Sequence, residues 1–537
     1  MNRYIKFLFA GVLAFSAMSC KDFLDINEDP NSPTTAPLRG LLPETQIALT
    51  GQIGMAGLSG YTANLVGHYT TRGNLSDYGL TGNDFSVTTN WNNIYARTLQ
   101  DLKEMDALAQ IEGEVQYRAV GRILKAYAYS VLVDLWGDVP LRDANLGGAN
   151  TEPRYDDGAA IYDTCFINLD LAIAALETDP TSTMASDDLF FGGDVSLWIQ
   201  AAKTLKLRLV TQARLANNPT NYLASFNPAT DLLATDWELQ YGTSINPDNR
   251  NPLYIGEWAP AGSARNIDPF FYEVMTGQNS FFPNEATPYT DAIIGVNDPR
   301  VRYYWYNQLG PGDTPENPVA YLNGFFLSIY GFSFNIDPNE GFDQGSSRTL
   351  SGLYPGGGAY DNGSGVNGNF NGPGDTPQRL LTRYNAYFNL SELALNGTTY
   401  GGGDARSYFE DGVREAFAKV NAYASAAGAP LIAGATIDSY VTDVLGYYDA
   451  AANNNERLEI IMIEKWKANF GLDIVAYNDY RRTGFPRLHD GDTDILPQTD
   501  RQRNYPVSLP YNTNSLQING NAPAQRVIAN DKVFWDN

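Results

Sequence analysis

The chain has 537 residues, with 36 Lys+Arg against 61 Asp+Glu and a formal net charge of −25 at pH 7; that length exceeds what one hydrophobic core needs and excludes a small disulfide scaffold. With 43% apolar and 18% charged residues its composition is globular, not that of a disordered chain. The acidic balance, with no basic stripe evident in the sequence, argues against a nucleic-acid partner. Two histidines (His68, His489) and two cysteines (Cys20, Cys165) exclude zinc clusters built on Cys and His, and leave Ser-His-Asp or Cys-His chemistry resting on one lone histidine. The 34 Tyr, 25 Phe and 8 Trp supply rigid amphipathic rings beyond what a core consumes.

The chain opens with Arg3 and Lys6, followed by an apolar run over residues 7–17. That run of about 11 residues is too short for a bilayer span of about 20 but suits the core of a signal peptide, assigned here to residues 1–19. Ala17-Met18-Ser19-Cys20 ends it with a small residue before Cys, the pattern of a bacterial lipobox in which Cys20 is lipidated and becomes the mature N-terminus. An ordinary signal peptide with an incidental Cys is the alternative. No other apolar run in the sequence reads as a membrane span. Cys165, left without a partner, sits in an apolar helical run and reads as a small core residue. Residues 20–45, with Asp29-Pro30-Asn31 and Ser32-Pro33, read as a tether of turn and extended formers.

Beyond the tether, apolar residues recur at helical spacing over 90–108, 114–135, 159–177 and 196–216. In the second of these, Val120, Ile123, Leu124, Tyr127, Val131 and Leu135 share one face, and Gly137 with Pro140 stops the helix. A second set follows over 379–395, 405–426, 436–448 and 454–472. Consecutive helices with short connections predict stacked helical hairpins, a mostly α fold of tetratricopeptide-like pairing without a legible tetratricopeptide signature. The mature chain is read as one domain, 46–537, with helical scaffold at 46–240 and 379–537. Between them, 241–378 is rich in Gly, Pro, Asn and aromatics and predicts a loop-rich insertion with short strands. Within it, 352–374 has nine glycines in 23 residues, and a loop so long is functional or a surface excursion. No glycine run follows a strand and opens a helix with Lys, so no phosphate-binding loop is read.

The segment Lys21-Asp22-Phe23-Leu24-Asp25-Ile26-Asn27-Glu28-Asp29-Pro30-Asn31-Ser32-Pro33 resembles the start of the SusD-like (SusD/RagB) outer-membrane lipoproteins of Bacteroidetes, in the branch whose mature N-terminus carries D-x-N-x-D-P-N. The resemblance continues in order through Trp91 and Tyr95, Tyr117-Arg118-Ala119, Trp136-Gly137-Asp138-Val139-Pro140-Leu141, Pro153-Arg154-Tyr155-Asp156, Asn297-Asp298-Pro299-Arg300, Trp466-Lys467-Ala468-Asn469 and Arg481-Arg482-Thr483-Gly484-Phe485-Pro486. Most of these residues read as structural, Arg481 and Arg482 as loop ties. The resemblance implies a lipid-anchored cell-surface protein of the outer membrane. It would bind oligosaccharide or peptide and act as a lid on a SusC-like TonB-dependent transporter, without catalysis and without a cofactor.

Sugar rings stack on Trp and Tyr while Asp, Asn and Arg bind their hydroxyls. Two stretches offer that mixture outside the helical stripes, and the expected ligand residues are Tyr69, Arg72, Asp77, Tyr78 and Trp91 from the first, and Trp258, Tyr304 and Trp305 from the second. Tyr303-Tyr304-Trp305-Tyr306 is too crowded for all four rings to point inward, so some are expected to face solvent or a ligand. The alternative class is a secreted glycoside hydrolase using a carboxylate pair, which needs neither His nor Cys. Asp337-Pro338-Asn339-Glu340-Gly341 could hold structural calcium, although the spacing of an EF-hand is absent.

Overall fold

The computed structural model describes residues 36–70, 85–181, 183–217, 219–258, 266–277, 296–313, 321–322, 325–326, 349–365, 372–487 and 505–536. The signal peptide, Cys20, Arg72, Asp77, Tyr78, the Asp337–Gly341 motif and His489 lie outside them. Helices α1 (Leu38–Ile53) and α2 (Leu58–Leu65) are the first among the described residues, so helix occupies residues 38–45 of the stretch read as tether. The expected helix over 90–108 is one continuous run: α3 (Phe85–Asn93), a wide π turn at Ile94–Leu99, and α4 (Gln100–Glu112).

Helices α5 (Val115–Trp136), α6 (Gly158–Thr178) and α7 (Val195–Ala213) complete the first set. Asp157 caps α6 by accepting from the Ala160 amide, and Asp194 caps α7 by accepting from Ser196 and Leu197. Each helix packs on the next, α4 on α5, α5 on α6 and α6 on α7, as stacked hairpins require. Helix α5 is buried along most of its length and is apolar except on the half-buried face that carries Arg118, Arg122 and Lys125. By length and hydropathy α6 qualifies as a membrane span, contrary to the reading of the sequence. Its apolar stripe of Ile161, Phe166, Leu169 and Ile173 is instead buried in the protein core. Cys165 is buried there, its Sγ 3.5 Å from the Ala126 carbonyl oxygen.

Among the described residues of the insertion are α8 (Pro252–Trp258), α9 (Pro269–Thr276) and short strands. The chain has four two-stranded antiparallel pairs among its described residues: β1 (Tyr69–Thr70) with β3 (Asn266–Ile267), β2 (Trp237–Leu239) with β8 (Gln378–Leu381), β4 (Trp305–Tyr306) with β7 (Leu350–Ser351), and β5 (Tyr321–Leu322) with β6 (Phe325–Phe326). The second helical set follows: α10 (Arg383–Leu395), α11 (Ala405–Ala426), α12 (Gly434–Ala450), α13 (Asn454–Ala468), α14 (Asp473–Thr483) and α15 (Thr513–Ile518). The expected helix 454–472 stops at Ala468 because Gly471, at φ +87°, takes a left-handed turn before α14.

Buried charge ties the two helical sets together. Asp134 at the end of α5 accepts from Tyr162, from Arg208 at 3.0 Å, from Asn478 at 2.8 Å and from Trp535 at 3.0 Å, joining α5, α6, α7, α14 and the C-terminal segment. Glu392 of α10 accepts from Arg482 of α14 and from Arg214 at 2.6 Å. Burial by itself would raise the Glu392 carboxyl, but the two guanidiniums outweigh it and hold it at about 2. The Asn297–Arg300 turn is equally internal: Arg300 donates to Asp298 at 2.6 Å and to Glu464 at 3.3 Å, and Tyr440 donates to both carboxylates. Arg481 donates to the Asp134 and Val507 carbonyl oxygens. The arginines of these motifs are structural ties.

Candidate functional site

Four of the expected ligand residues converge on Ser351. Tyr69 on β1 hydrogen-bonds its hydroxyl to the Ser351 Oγ, and Trp258 donates its indole N–H to the Ser351 carbonyl oxygen at 3.0 Å. Trp305 is the register partner of Ser351 across β4–β7, and Tyr304 accepts from the Gly352 amide at 2.7 Å. These four meet, but they do not stand outside helix packing as the sequence reading expects, and the Trp91 grouped with them lies elsewhere. Tyr304 and Trp305 have no solvent exposure, and Tyr69 and Trp258 are also buried. Phe271 of α9 packs edge-on against Trp305 at 5.0 Å, and Tyr354 stacks on Tyr304 at 4.9 Å. Stacking a sugar requires an open ring face, and the contacts of these rings are those of core residues.

The expectation that some of Tyr303-Tyr304-Trp305-Tyr306 face solvent is corrected: all four are buried. The chain can bury consecutive rings because it passes between scaffold and insertion. Tyr303 donates to the Pro430 carbonyl and Tyr304 to that of Lys467 on the scaffold side, while Tyr306 donates to the Gly365 carbonyl in the glycine-rich segment. At 352–358, where every residue is buried, that segment is a packing element, while its residues 362–364 are exposed. A Cβ on Gly352 would lie 2.3 Å from the Tyr303 oxygen, and one on Gly358 would lie 2.5 Å from the Trp258 indole nitrogen. Glycine there lets backbone close onto rings.

Trp91 lies apart from this junction. Its ring meets Trp136 edge-on at 5.2 Å, Tyr95 at 5.1 Å and Tyr155 in a stacked contact at 6.3 Å. With Tyr95 it lines a cleft of about 230 Å³ between the π turn, the loop after α5 and the C-terminal helix α15. Tyr95 donates to the Pro140 carbonyl at 2.8 Å, and burial pushes its hydroxyl well above the usual phenol range, so it stays a neutral donor. Asn145, held at φ +58°, donates from its amide to the Tyr95 carbonyl at 2.7 Å. Asn519 donates to the Pro153 carbonyl at 2.7 Å, and the Ser515 hydroxyl sits 3.3 Å from that of Tyr155. Ile518, 74% exposed, stands at the rim. Trp91 is as buried as the junction rings, so the partly exposed Tyr95, with its rim of neutral amides and hydroxyls, is the ring that can meet a sugar and bind its substituents.

Among the described residues, none that lines the cleft supplies a carboxylate. The Ser, His and Asp that do meet are arranged differently from a nucleophilic triad. Ser59 and the His68 Nδ1 both bond to Asp473, at 3.0 and 2.5 Å, and all three are fully buried, so the carboxylate and not the imidazole faces the serine. Among the described residues no group of three or more His, Cys, Asp or Glu side chains could hold a metal ion. Sequence reasoning named Tyr95 only as a motif residue and missed Asn145, Ser515, Ile518 and Asn519, which come from irregular segments with no periodic signal.

Comparison with known proteins identifies the class. Residues 30–511 match the SusD-like family described as starch-binding and associating with the outer membrane. The chain belongs to that family. A solved structure of a chitin-binding protein aligns at 20% identity over 93% of this chain and 100% of the other, with a TM-score of 0.65. A SusD homolog from Bacteroides uniformis aligns at 18% identity over 93% and 99%, with a TM-score of 0.64. A chitin-binding SusD homolog from Flavobacterium johnsoniae aligns at 17% identity over 92% and 98%, with a TM-score of 0.63. The comparison with curated proteins gives no match.

Proposed function

We propose that the protein is a cell-surface lipoprotein, anchored in the outer membrane through Cys20, that binds oligosaccharide (or oligopeptide) nutrients without transforming them and passes them to a SusC-like TonB-dependent transporter. The observation that carries this reading is family membership across residues 30–511, with a family description that couples starch binding to the outer membrane. The Trp91–Tyr95 cleft supports it: a partly exposed tyrosine ring with neutral polar neighbours suits a sugar, and the lining among the described residues offers no acid for glycosidic cleavage. The two chitin-binding structural neighbours add support at the level of fold. No cofactor is required.

Mild-detergent capture of the protein from native membranes tests the transporter partnership. A stable partner should bury about 2,000 Å² or more, so a barrel protein should co-purify; recovery of this chain alone would overturn that part of the reading. Cys20→Ser should release the protein from membranes stripped of the barrel, because each buried acyl CH₂ contributes about 0.8 kcal/mol to anchoring. Retention of that variant would remove the lipid anchor.

A further inference from the structure

A second cleft, of about 230 Å³, opens between α4, α5 and α6, and its lining is cationic in a chain of net charge −25. Lys103 comes from α4, and Arg118, Arg122 and Lys125 come from one face of α5 at i, i+4 and i+7. Asp106 is the one carboxylate in the lining, and Asn168 of α6 adds a neutral amide. The helices approach closely here because residue 121 is glycine: a Cβ would lie 2.7 Å from the Met105 methyl.

Four cations against one carboxylate leave the cleft three positive charges in excess. Arg118 is committed, donating to Asp106 at 2.9 Å, and Lys103 donates to the Asn145 carbonyl oxygen. Arg122 and Lys125 have no hydrogen bond or ion pair among the described residues; Lys125 has only a ring contact, 5.9 Å from the centre of Tyr129. Burial lowers the Lys125 ammonium below its usual value, Asp106 and Cys165 counter that, and Lys103 adds to the lowering. Like charges so placed repel one another unless an anion sits among them. The volume equals that of the Trp91 cleft and lies below the range of about 300–1,000 Å³ typical of pockets that enclose a whole small ligand, so each cleft suits one unit or substituent of a larger molecule.

We infer that the α4–α6 cleft binds an oxyanion substituent, a sulfate ester or a carboxylate, of a soluble sugar ligand, with Arg122 and Lys125 as its principal donors. A recessed pocket takes a single small anion, whereas an anionic lipid surface would meet the repulsion of a chain carrying −25. The assignment to a sugar rests on the carbohydrate-binding reading; the anion site does not.

Isothermal titration of the full-length protein with inorganic sulfate, glucuronate and neutral oligosaccharides, at ionic strength fixed with chloride, tests this. Sulfate or glucuronate should bind saturably, and Arg122→Gln with Lys125→Gln should weaken that binding at least about tenfold. The variant should keep its unfolding midpoint, and Arg97→Gln, outside the cleft, should leave the affinity unchanged. Absence of saturable sulfate and glucuronate binding, or binding indifferent to the double variant, would overturn the inference even if neutral oligosaccharides bind. Sulfate binding without any oligosaccharide binding would keep the anion site and overturn the carbohydrate reading. Binding to phosphatidylglycerol vesicles in place of glucuronate would overturn the assignment to a sugar.

Discussion

The Ser351 junction and the Trp91 cleft are built from the same residue types and differ in what covers them. At the junction, glycines at 352 and 358 let main chain close over Tyr304, Trp305 and Trp258, and every indole or phenol named there finds a backbone or side-chain partner or a ring. At the cleft, the π turn that carries Tyr95 and the short helix α15 stand apart, so Tyr95 stays partly exposed beside an exposed isoleucine, with Trp91 buried behind it. Tyrosine and tryptophan are therefore not evidence of a site by their number. What decides is whether glycine next to them allows the backbone to seal the ring.

The largest effect separating the two regions should come from Trp305. Trp→Ala in a fully buried position costs about 3–5 kcal/mol, so Trp305→Ala alone, and more so with Trp258→Ala, should lower the thermal unfolding midpoint by many degrees. An unmoved midpoint would return these rings to the list of ligand contacts. Next comes Gly358→Ala, whose Cβ would lie 2.5 Å from the Trp258 nitrogen and 2.6 Å from the Ser351 oxygen. Overpacking of this kind costs about 1–3 kcal/mol, which chemical denaturation would register as a lower midpoint at unchanged slope.

Acid titration sharpens the contrast between scaffold and cleft. The Glu392 carboxyl, held at about 2 against an ordinary value of 4.5, is depressed in the folded state. Its stabilising contribution is therefore complete above about pH 4.5 and is lost as pH falls toward 2. Glu392→Gln should be less stable at pH 7, with a flatter decline over that window; an unchanged acid limb would contradict the buried ion cluster. The smallest change in stability belongs to the cleft rim. Ile518→Ser should shift stability by no more than about 0.5 kcal/mol while weakening oligosaccharide binding about fivefold, the loss of about 1 kcal/mol of apolar contact.

The helical scaffold was legible because 3.6-residue spacing of residues such as Val120, Ile123, Leu124 and Tyr127 reports burial directly. The stop at Gly137 was equally clear. The break at Ala468 was missed because Gly471 bends a stretch that stays apolar on both sides. Helix α1 was missed because its apolar pattern is weak and Pro43 lies inside it. The convergence of Tyr69, Trp258 and Trp305 followed from composition, yet their burial did not, since a glycine-rich stretch reads as a loop whether it packs or not. The Trp91 cleft needs residues 145, 515, 518 and 519 brought together by chain reversal, which no local pattern encodes. The Arg118, Arg122 and Lys125 row was present at helical spacing in α5, but the overall negative charge concealed it.

The most direct test of the account is to titrate the purified protein against a panel of starch- and chitin-derived oligosaccharides, and then to assay the same mixtures for new reducing ends. The account predicts saturable binding of at least one oligosaccharide, weakened by Ile518→Ser and unaccompanied by any rise in reducing ends. Reducing ends that accumulate with time, or binding that Ile518→Ser leaves untouched, would contradict it.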